Sequence, residues 1–269
     1  MMSPTTETIL LTGASGGIGE ALAREVAGPG RCLILLARDR ARLERLAAEL
    51  KARGAETEIH PVDLRETDRL AEVLSDISAR HVLDVVIVNA GVTAGLGADR
   101  SVEALADQDR QLDVNLRGAM HTVSALVEPM RRARRGRIAL VASLAGMRPL
   151  PDMPAYSASK AGLIAYGHAL RGWLKPFGVS VTILCPGFVT SPMSARHKGA
   201  KPFEIPADVA ARRMWRAIRA RRAFYAFPFL LAWGIRLQNL LPPWAGDLFM
   251  GGFAATVEPD PRYRDEEPR

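Results

Sequence analysis

Thr8-Ile9-Leu10-Leu11-Thr12-Gly13-Ala14-Ser15-Gly16-Gly17-Ile18-Gly19 is an apolar β-type run that breaks into glycines and then opens a helix. Glycines permit a tight turn and a close approach of the backbone, and the helix N-terminus attracts negative charge. Strand, glycine turn and helix in that order make a seat for the pyrophosphate of a dinucleotide. The spacing is not the G-x-G-x-x-G of the common dinucleotide fingerprint. The strand-to-helix context therefore carries the reading.

Downstream, the alternation of strand and helix continues. Helix is expected over residues 21–27, stopped by Gly28-Pro29-Gly30. Residues 32–36 form a continuous apolar run suited to a strand buried on both faces. Leu43, Leu46 and Leu50 make a helical stripe that ends at Gly54. Further strands are predicted at 58–62, 85–88, 138–141 and 179–184, and helices over 67–78, 107–134 and 155–175. Such alternation predicts an α/β fold: a single Rossmann-like domain whose doubly wound parallel sheet is flanked by helices. From Lys198 the pattern changes to a basic helix over 206–222, a last strand at 224–227, and apolar helical pieces at 229–241 and 244–250. The expected organisation is a dinucleotide-binding and catalytic core (1–197), a C-terminal apolar helical extension of the same domain (198–257) and a charged, proline-rich mobile tail (258–269).

Composition narrows the class. The chain has 269 residues, 48% of them hydrophobic, enough to bury a sizeable core, and no apolar run long enough to span a bilayer. Cys32 and Cys185 lie far apart within apolar runs and read as buried free thiols of a reducing compartment. The start shows no basic patch followed by an apolar stretch, so a cytoplasmic protein is expected. Net charge is +7, but the basic residues are not interleaved with aromatics in a nucleic-acid motif, and no nucleic acid is expected. The five histidines do not cluster; His121 and His168 read as structural, and no metal site is expected.

Tyr156 and Lys160 are one helical turn apart, with Ser143 thirteen residues before Tyr156. That spacing puts a phenol and an ammonium on one helix face. The ammonium is expected to pull the tyrosine pKa down toward neutrality, so that the phenol exchanges a proton with a carbonyl or alcohol oxygen. The second strand ends Leu36-Ala37-Arg38-Asp39-Arg40. Ala37 stands where an acidic residue would accept bonds from the adenosine ribose, and Arg38 suits the 2′-phosphate of NADP(H). NADP(H) is thus favoured over NAD(H), although Asp39 keeps NAD(H) open as the alternative.

With these motifs assembled, the chain resembles the short-chain dehydrogenase/reductase family, of the Tyr-x-x-x-Lys type, over about residues 5–195. The resemblance rests on the glycine turn, on Asp63-Leu64, on Asn89-Ala90-Gly91, on the set Asn115, Ser143, Tyr156 and Lys160, and on Pro186-Gly187-Phe188-Val189-Thr190. It implies that Tyr156 is the acid in reduction and the base in oxidation. Lys160 lowers its pKa and bonds the nicotinamide ribose, Ser143 bonds the substrate oxygen, and Asn115 holds a water linking Lys160 to solvent. It implies further that Gly13, Ser15, Gly17, Ile18 and Gly19 cradle the phosphates. Arg38, Asp63, Leu64, Asn89, Ala90 and Gly91 serve the adenosine side, and Pro186, Gly187, Val189 and Thr190 run along the nicotinamide and its phosphates.

The segment after residue 198 combines Arg212, Arg213, Arg216, Arg219, Arg221 and Arg222 with Phe229, Leu230, Leu231, Trp233, Ile235, Leu237, Leu240, Leu241 and Trp244. It reads as a lid over an apolar substrate, as a core or dimer face, or as a surface that touches an anionic membrane peripherally. The expected activity is interconversion of a carbonyl and a secondary alcohol on a fairly apolar substrate by a homo-oligomer. Two alternatives stand beside it: an NAD-dependent alcohol dehydrogenase, and a catalytically idle dinucleotide-binding regulatory or scaffold protein.

Overall fold

The computed structural model describes residues 6–242, 244–245 and 256–263. Its core alternates β1 (Glu7–Thr12), α1 (Gly17–Val26), β2 (Arg31–Ala37), α2 (Arg40–Ala52), β3 (Glu56–Pro61), α3 (Thr67–Arg80) and β4 (Val85–Val88). Next come α4 (Leu105–Leu112), a π-helical turn (Asp113–Arg117), α5 (Gly118–Ala133), β5 (Gly136–Val141), α6 (Pro154–Leu174) and β6 (Val179–Pro186). The chain closes with α7 (Pro192–Ala195), β7 (His197–Lys198), α8 (Ala207–Arg219), β8 (Phe224–Phe227), α9 (Phe229–Gln238) and β9 (Thr256–Val257).

Seven strands form one parallel sheet in the order β3-β2-β1-β4-β5-β6-β8, as the alternation predicts. Runs such as Cys32-Leu33-Ile34-Leu35-Leu36 are buried on both faces because helices cover both. On one face the core joins the sheet to Leu70 of α3, Val123 of α5 and Leu170 of α6. On the other, Leu22 of α1, Leu46 of α2 and Met214 and Trp215 of α8 close it. The order reverses at β1 and β4, and the crevice at their C-terminal ends is where ligands settle in such sheets.

The C-terminal half differs from expectation in two places. The basic helix expected to belong to an extension is core: α8 buries Ala210, Met214, Trp215 and Ile218 against α1 and turns its arginines to solvent. Each large apolar side chain so buried contributes about 1.5–3 kcal/mol, so the apolar face sets where this helix lies. β8 then completes the main sheet, leaving α9 as the extension. The tail expected to be mobile is bound as far as Tyr263, which is buried; residues 264–269 lie outside the described residues. The helical piece expected at 244–250 is described only at Trp244 and Ala245.

Candidate active site

The glycine turn is held from the neighbouring strand. Gly13 has φ +67°, and a Cβ there would lie 2.6 Å from the Ala90 Cα. Thr12 Oγ1 accepts from the Asn89 and Ala90 amides, both at 3.1 Å, and Asn89 Nδ2 donates to the carbonyls of Thr12 and Gly13, both at 3.2 Å. Asn89 thus fixes the turn rather than reaching out from it. At Gly19 a Cβ would lie 2.0 Å from the Gly13 carbonyl, which leaves no room for a side chain. Gly16 N-caps α1 without a side chain, so the first-turn amides of this ten-residue helix gain no side-chain cap. An uncapped helix start against a cradle that Cβ atoms would fill suits a phosphate.

A cleft of about 1330 Å³ runs from this turn along the C-terminal strand ends. That exceeds the 300–1,000 Å³ or so of an ordinary small-molecule pocket and leaves room for a dinucleotide plus a second molecule. Gly13, Ser15, Gly17, Ile18, Gly19, Arg38, Asp63, Leu64, Asn89, Ala90, Gly91, Ser143, Tyr156, Lys160, Pro186, Gly187 and Val189 all line it. Thr190 does not. Its amide bonds the Ile205 carbonyl at 3.0 Å and its side chain is exposed on another face. In extended backbone the next residue points the opposite way, and Ser191 lines the cleft instead. A Cβ on Gly17 would lie 2.8 Å from the Ser191 Cβ. Ser191 escaped the sequence reading; the signal was the extended run leading to Pro192, whose alternation needed counting one residue further.

At the end expected to take adenosine, Asp39 caps α2 by accepting from the Arg42 amide at 3.0 Å. Arg38 and Arg42 line the cleft, and Asp39 does not. Arg38 stands 3.7 Å from Asp63, which also takes the Arg65 amide (2.9 Å) and the Arg65 guanidinium (2.8 Å). Burial works to raise the Asp63 pKa, but bonds from Arg65 and the charges of Arg65 and Arg38 outweigh it and hold the carboxyl below its ordinary value.

The chemical end is built by β5, the turn after it and α6. Ser143 leaves β5 and caps the 3₁₀ turn Leu144–Gly146, its Oγ accepting from the Ala145 amide at 3.1 Å. Gly146 lets that turn press on α6: a Cβ there would lie 2.6 Å from the Lys160 carbonyl carbon. The Ser143 hydroxyl is thereby brought into hydrogen-bonding contact with Tyr156. Lys160 is 3% exposed; its Nζ donates to the Val141 carbonyl at 3.0 Å and lies 5.8 Å from the centre of the Tyr156 ring.

Tyr156 departs from expectation. Its pKa is raised, not lowered: burial dominates, and the Ser143 hydrogen bond offsets only part of it. Lys160 is not among the groups that shift it; the ammonium is itself desolvated, its pKa falling to about 8. In the protein alone, then, the phenol holds its proton at neutral pH and the lysine sits near its titration point. Cys185, fully buried behind them, is a thiol pushed up to about 12 by burial.

Asn115 lies in the π-helical turn with no exposure. Its Oδ1 accepts the Val92 amide at 2.8 Å, and its Nδ2 donates to the Val92 carbonyl (2.9 Å) and Ser159 Oγ (3.0 Å). The side chain therefore ties the loop after β4 to α6. A Cβ on Gly91 would stand 3.3 Å from both Asn115 Oδ1 and Lys160 Nζ, so Gly91 keeps open the space between them. Gly91→Ala is expected to lower turnover about tenfold by crowding the lysine. Steady-state kcat beside a thermal melt checks this; an unchanged kcat would mean the space has no bearing on the chemistry.

One stretch of the cleft lining is largely apolar. Leu230, Leu231, Ile235 and Leu237 of α9 line the cleft, with Leu240 and Leu241 beyond them. Asn239 Nδ2 fastens the end of this helix to the Met147 carbonyl at 3.0 Å. Phe229 and Trp233 remain largely exposed, whereas Trp215 is in the core. Among the described residues no helix is long and apolar enough to cross a membrane, and no group of three or more metal-ligating side chains gathers.

A family model described as short chain dehydrogenase matches residues 7–201. An "Uncharacterized oxidoreductase" of Myxococcus xanthus (strain DK1622) is 34% identical over 247 residues, covering 90% of this chain and 95% of that protein. A metagenomic short-chain oxidoreductase solved in complex with NADP is 31% identical with a TM-score of 0.70, over 83% of this chain and 95% of the other. A short-chain dehydrogenase from Sphingobium yanoikuyae, solved with NADPH, is 25% identical with a TM-score of 0.77, over 96% and 100%.

Proposed function

The chain belongs to the short-chain dehydrogenase/reductase family as an NAD(P)-dependent oxidoreductase, and from that premise we propose that it interconverts a carbonyl and a secondary alcohol on an apolar substrate, with NADP(H) preferred. One observation carries the reading. The Ser143 and Tyr156 hydroxyls meet in a cleft that has a glycine turn with two arginines at one end and the apolar face of α9 at the other.

When bound, the dinucleotide supplies or takes up a hydride. The residues of this chain do the rest. Tyr156 holds a proton at neutral pH and can give it to a carbonyl oxygen as negative charge develops there. Ser143 offers a second hydroxyl to the same oxygen. Lys160, charged below about pH 8, stands 5.8 Å from the centre of the Tyr156 ring, where its ammonium can meet the ribose of the dinucleotide. Asn115 positions the loop and helix that carry these groups. For the cofactor, support comes from Arg38 and Arg42 at the cleft and from Asp39 being spent on a helix cap. The apolar wall of α9 supports a hydrophobic substrate and favours the lid over the membrane surface.

The test is a panel of ketones and alcohols graded by chain length, run with both dinucleotides. Longer apolar carbonyls are expected to give the higher kcat/KM, with NADPH ahead of NADH. Ala37→Asp with Arg38→Ile removes the guanidinium and adds an acceptor for the ribose, and is expected to reverse that order. A parent enzyme that already prefers NADH would refute the role given to Arg38.

A further inference from the structure

The end of the chain places a group in the cleft that the proposed reaction does not use. β9 pairs antiparallel with β7, bringing residues 256–263 across the mouth of the cleft. Arg196, buried beneath this strap, donates to the carbonyls of Glu258 (3.0 Å) and Thr93 (3.2 Å) and pairs with buried Asp260 at 3.4 Å. A 3₁₀ turn (Pro261–Tyr263) then delivers Tyr263, which is 7% exposed, against Val92 and Val114. The Arg110 guanidinium lies 4.1 Å from the centre of its ring, that of Arg38 4.6 Å and that of Arg65 5.5 Å. Its hydroxyl is buried and has no hydrogen-bond partner among the described residues.

Two features of this seat are unusual for a chain terminus. Buried tyrosine hydroxyls ordinarily find a partner, and this one ends unpaired inside a ligand cleft. Arg38 and Asp63, given above to adenosine and its 2′-phosphate, are among the groups whose charges reach the Tyr263 ring, with Arg65 and Arg262. A planar ring held between guanidiniums and two valines takes up the kind of slot a purine needs.

We propose that residues 256–263 are a tethered occupant of the adenosine end, with Tyr263 in the place of the purine, so that a dinucleotide binds only as the strap lets go. The inference rests on the dinucleotide reading above. Apparent affinity is then the intrinsic affinity reduced by the fraction of molecules whose strap is open, and a strap closed nine-tenths of the time weakens binding about tenfold. The buried Arg196–Asp260 pair and the short β7–β9 ribbon hold the strap closed. Release needs no rearrangement of the main sheet, because neither belongs to it.

The experiment titrates NADPH into the full chain, into Tyr263→Ala and into a chain ending at residue 255. The dissociation constant is expected to fall by roughly tenfold in both variants. In parallel, trypsin is applied to the full chain with and without NADPH, and cleavage after Arg262 is expected to quicken when NADPH is present. Unchanged or weaker NADPH binding by Tyr263→Ala would overturn the proposal, as would protection of Arg262 by NADPH, since both would make Tyr263 part of the bound dinucleotide's site. Should the shortened chain fail to fold, Tyr263→Ala decides alone. If NADPH bound none of the three proteins and changed no cleavage rate, the dinucleotide reading itself would fall.

Discussion

Tyr156→Phe is expected to lower turnover by about two to four orders of magnitude while dinucleotide affinity stays near that of the parent. The substitution keeps the ring on α6 and removes only the hydroxyl that meets Ser143. No other hydroxyl in that contact can replace the lost proton, because an aliphatic alcohol such as Ser143 is a far weaker acid than a phenol. The raised pKa of Tyr156 gives the loss a direction. Reduction needs the protonated phenol and proceeds at neutral pH; oxidation needs the phenolate and gains as pH rises. Stopped-flow and steady-state rates in both directions check this. A Tyr156→Phe protein that turned over near the parent rate would remove the tyrosine from the chemistry.

Lys160→Met is expected to cut turnover a hundredfold or more and, in the same protein without ligand, to raise stability near neutral pH. The two effects share one cause. The ammonium is 3% exposed and its pKa falls from 10.5 to about 8 because burial disfavours its charge. Between about pH 8 and 10.5 the unfolded chain therefore binds more protons at this residue than the folded one. Stability contributed by this residue rises with pH through that window, and below it the folded protein bears the whole cost of the buried charge. That cost is on the order of 3 kcal/mol as an upper bound. Methionine removes it with little change of volume. Melting curves from pH 6 to 10 should show the parent approaching the variant as pH rises. In parallel, the parent's reductive rate should fall above about pH 8 and the variant's should lack that limb. A variant no more stable at pH 7 than at pH 10, relative to the parent, would show that Lys160 is not held as a strained charge.

Much of this architecture was legible in the chain because periodicity and glycine placement report directly on backbone. The buried strands at Cys32–Leu36 and Val85–Val88 and the turn at Gly13–Gly19 needed no tertiary information. The meeting of Ser143, Tyr156 and Lys160 in one cleft followed too, since Tyr156 and Lys160 share a helix face and Ser143 ends a strand. What failed depended on contacts between distant segments. The pKa of Tyr156 is set by how deeply the packed site buries the phenol, which spacing does not reveal. The helix expected over 107–134 is interrupted by a π turn at Asp113–Arg117, where Asn115 must reach both Val92 and Ser159. Charge and proline content marked residues 258–263 as tail, whereas Arg196, some sixty residues earlier, binds them.

The packing of α8 on α1 has a consequence for how the protein is made. Leu22, Ala23 and Val26 belong to the same core as Met214, Trp215 and Ile218, near opposite ends of the chain. The helix that presents the glycine turn is thus backed by residues that leave the ribosome long after it. Until they arrive, a nascent chain exposes the apolar side of α1 and the unpaired edge of β6, which β8 later covers. Contacts of such long separation fold slowly, and open edges invite misassociation. Nascent chains stalled before residue 207 should therefore be the form most dependent on chaperones, and the glycine turn should settle only once α8 has been made.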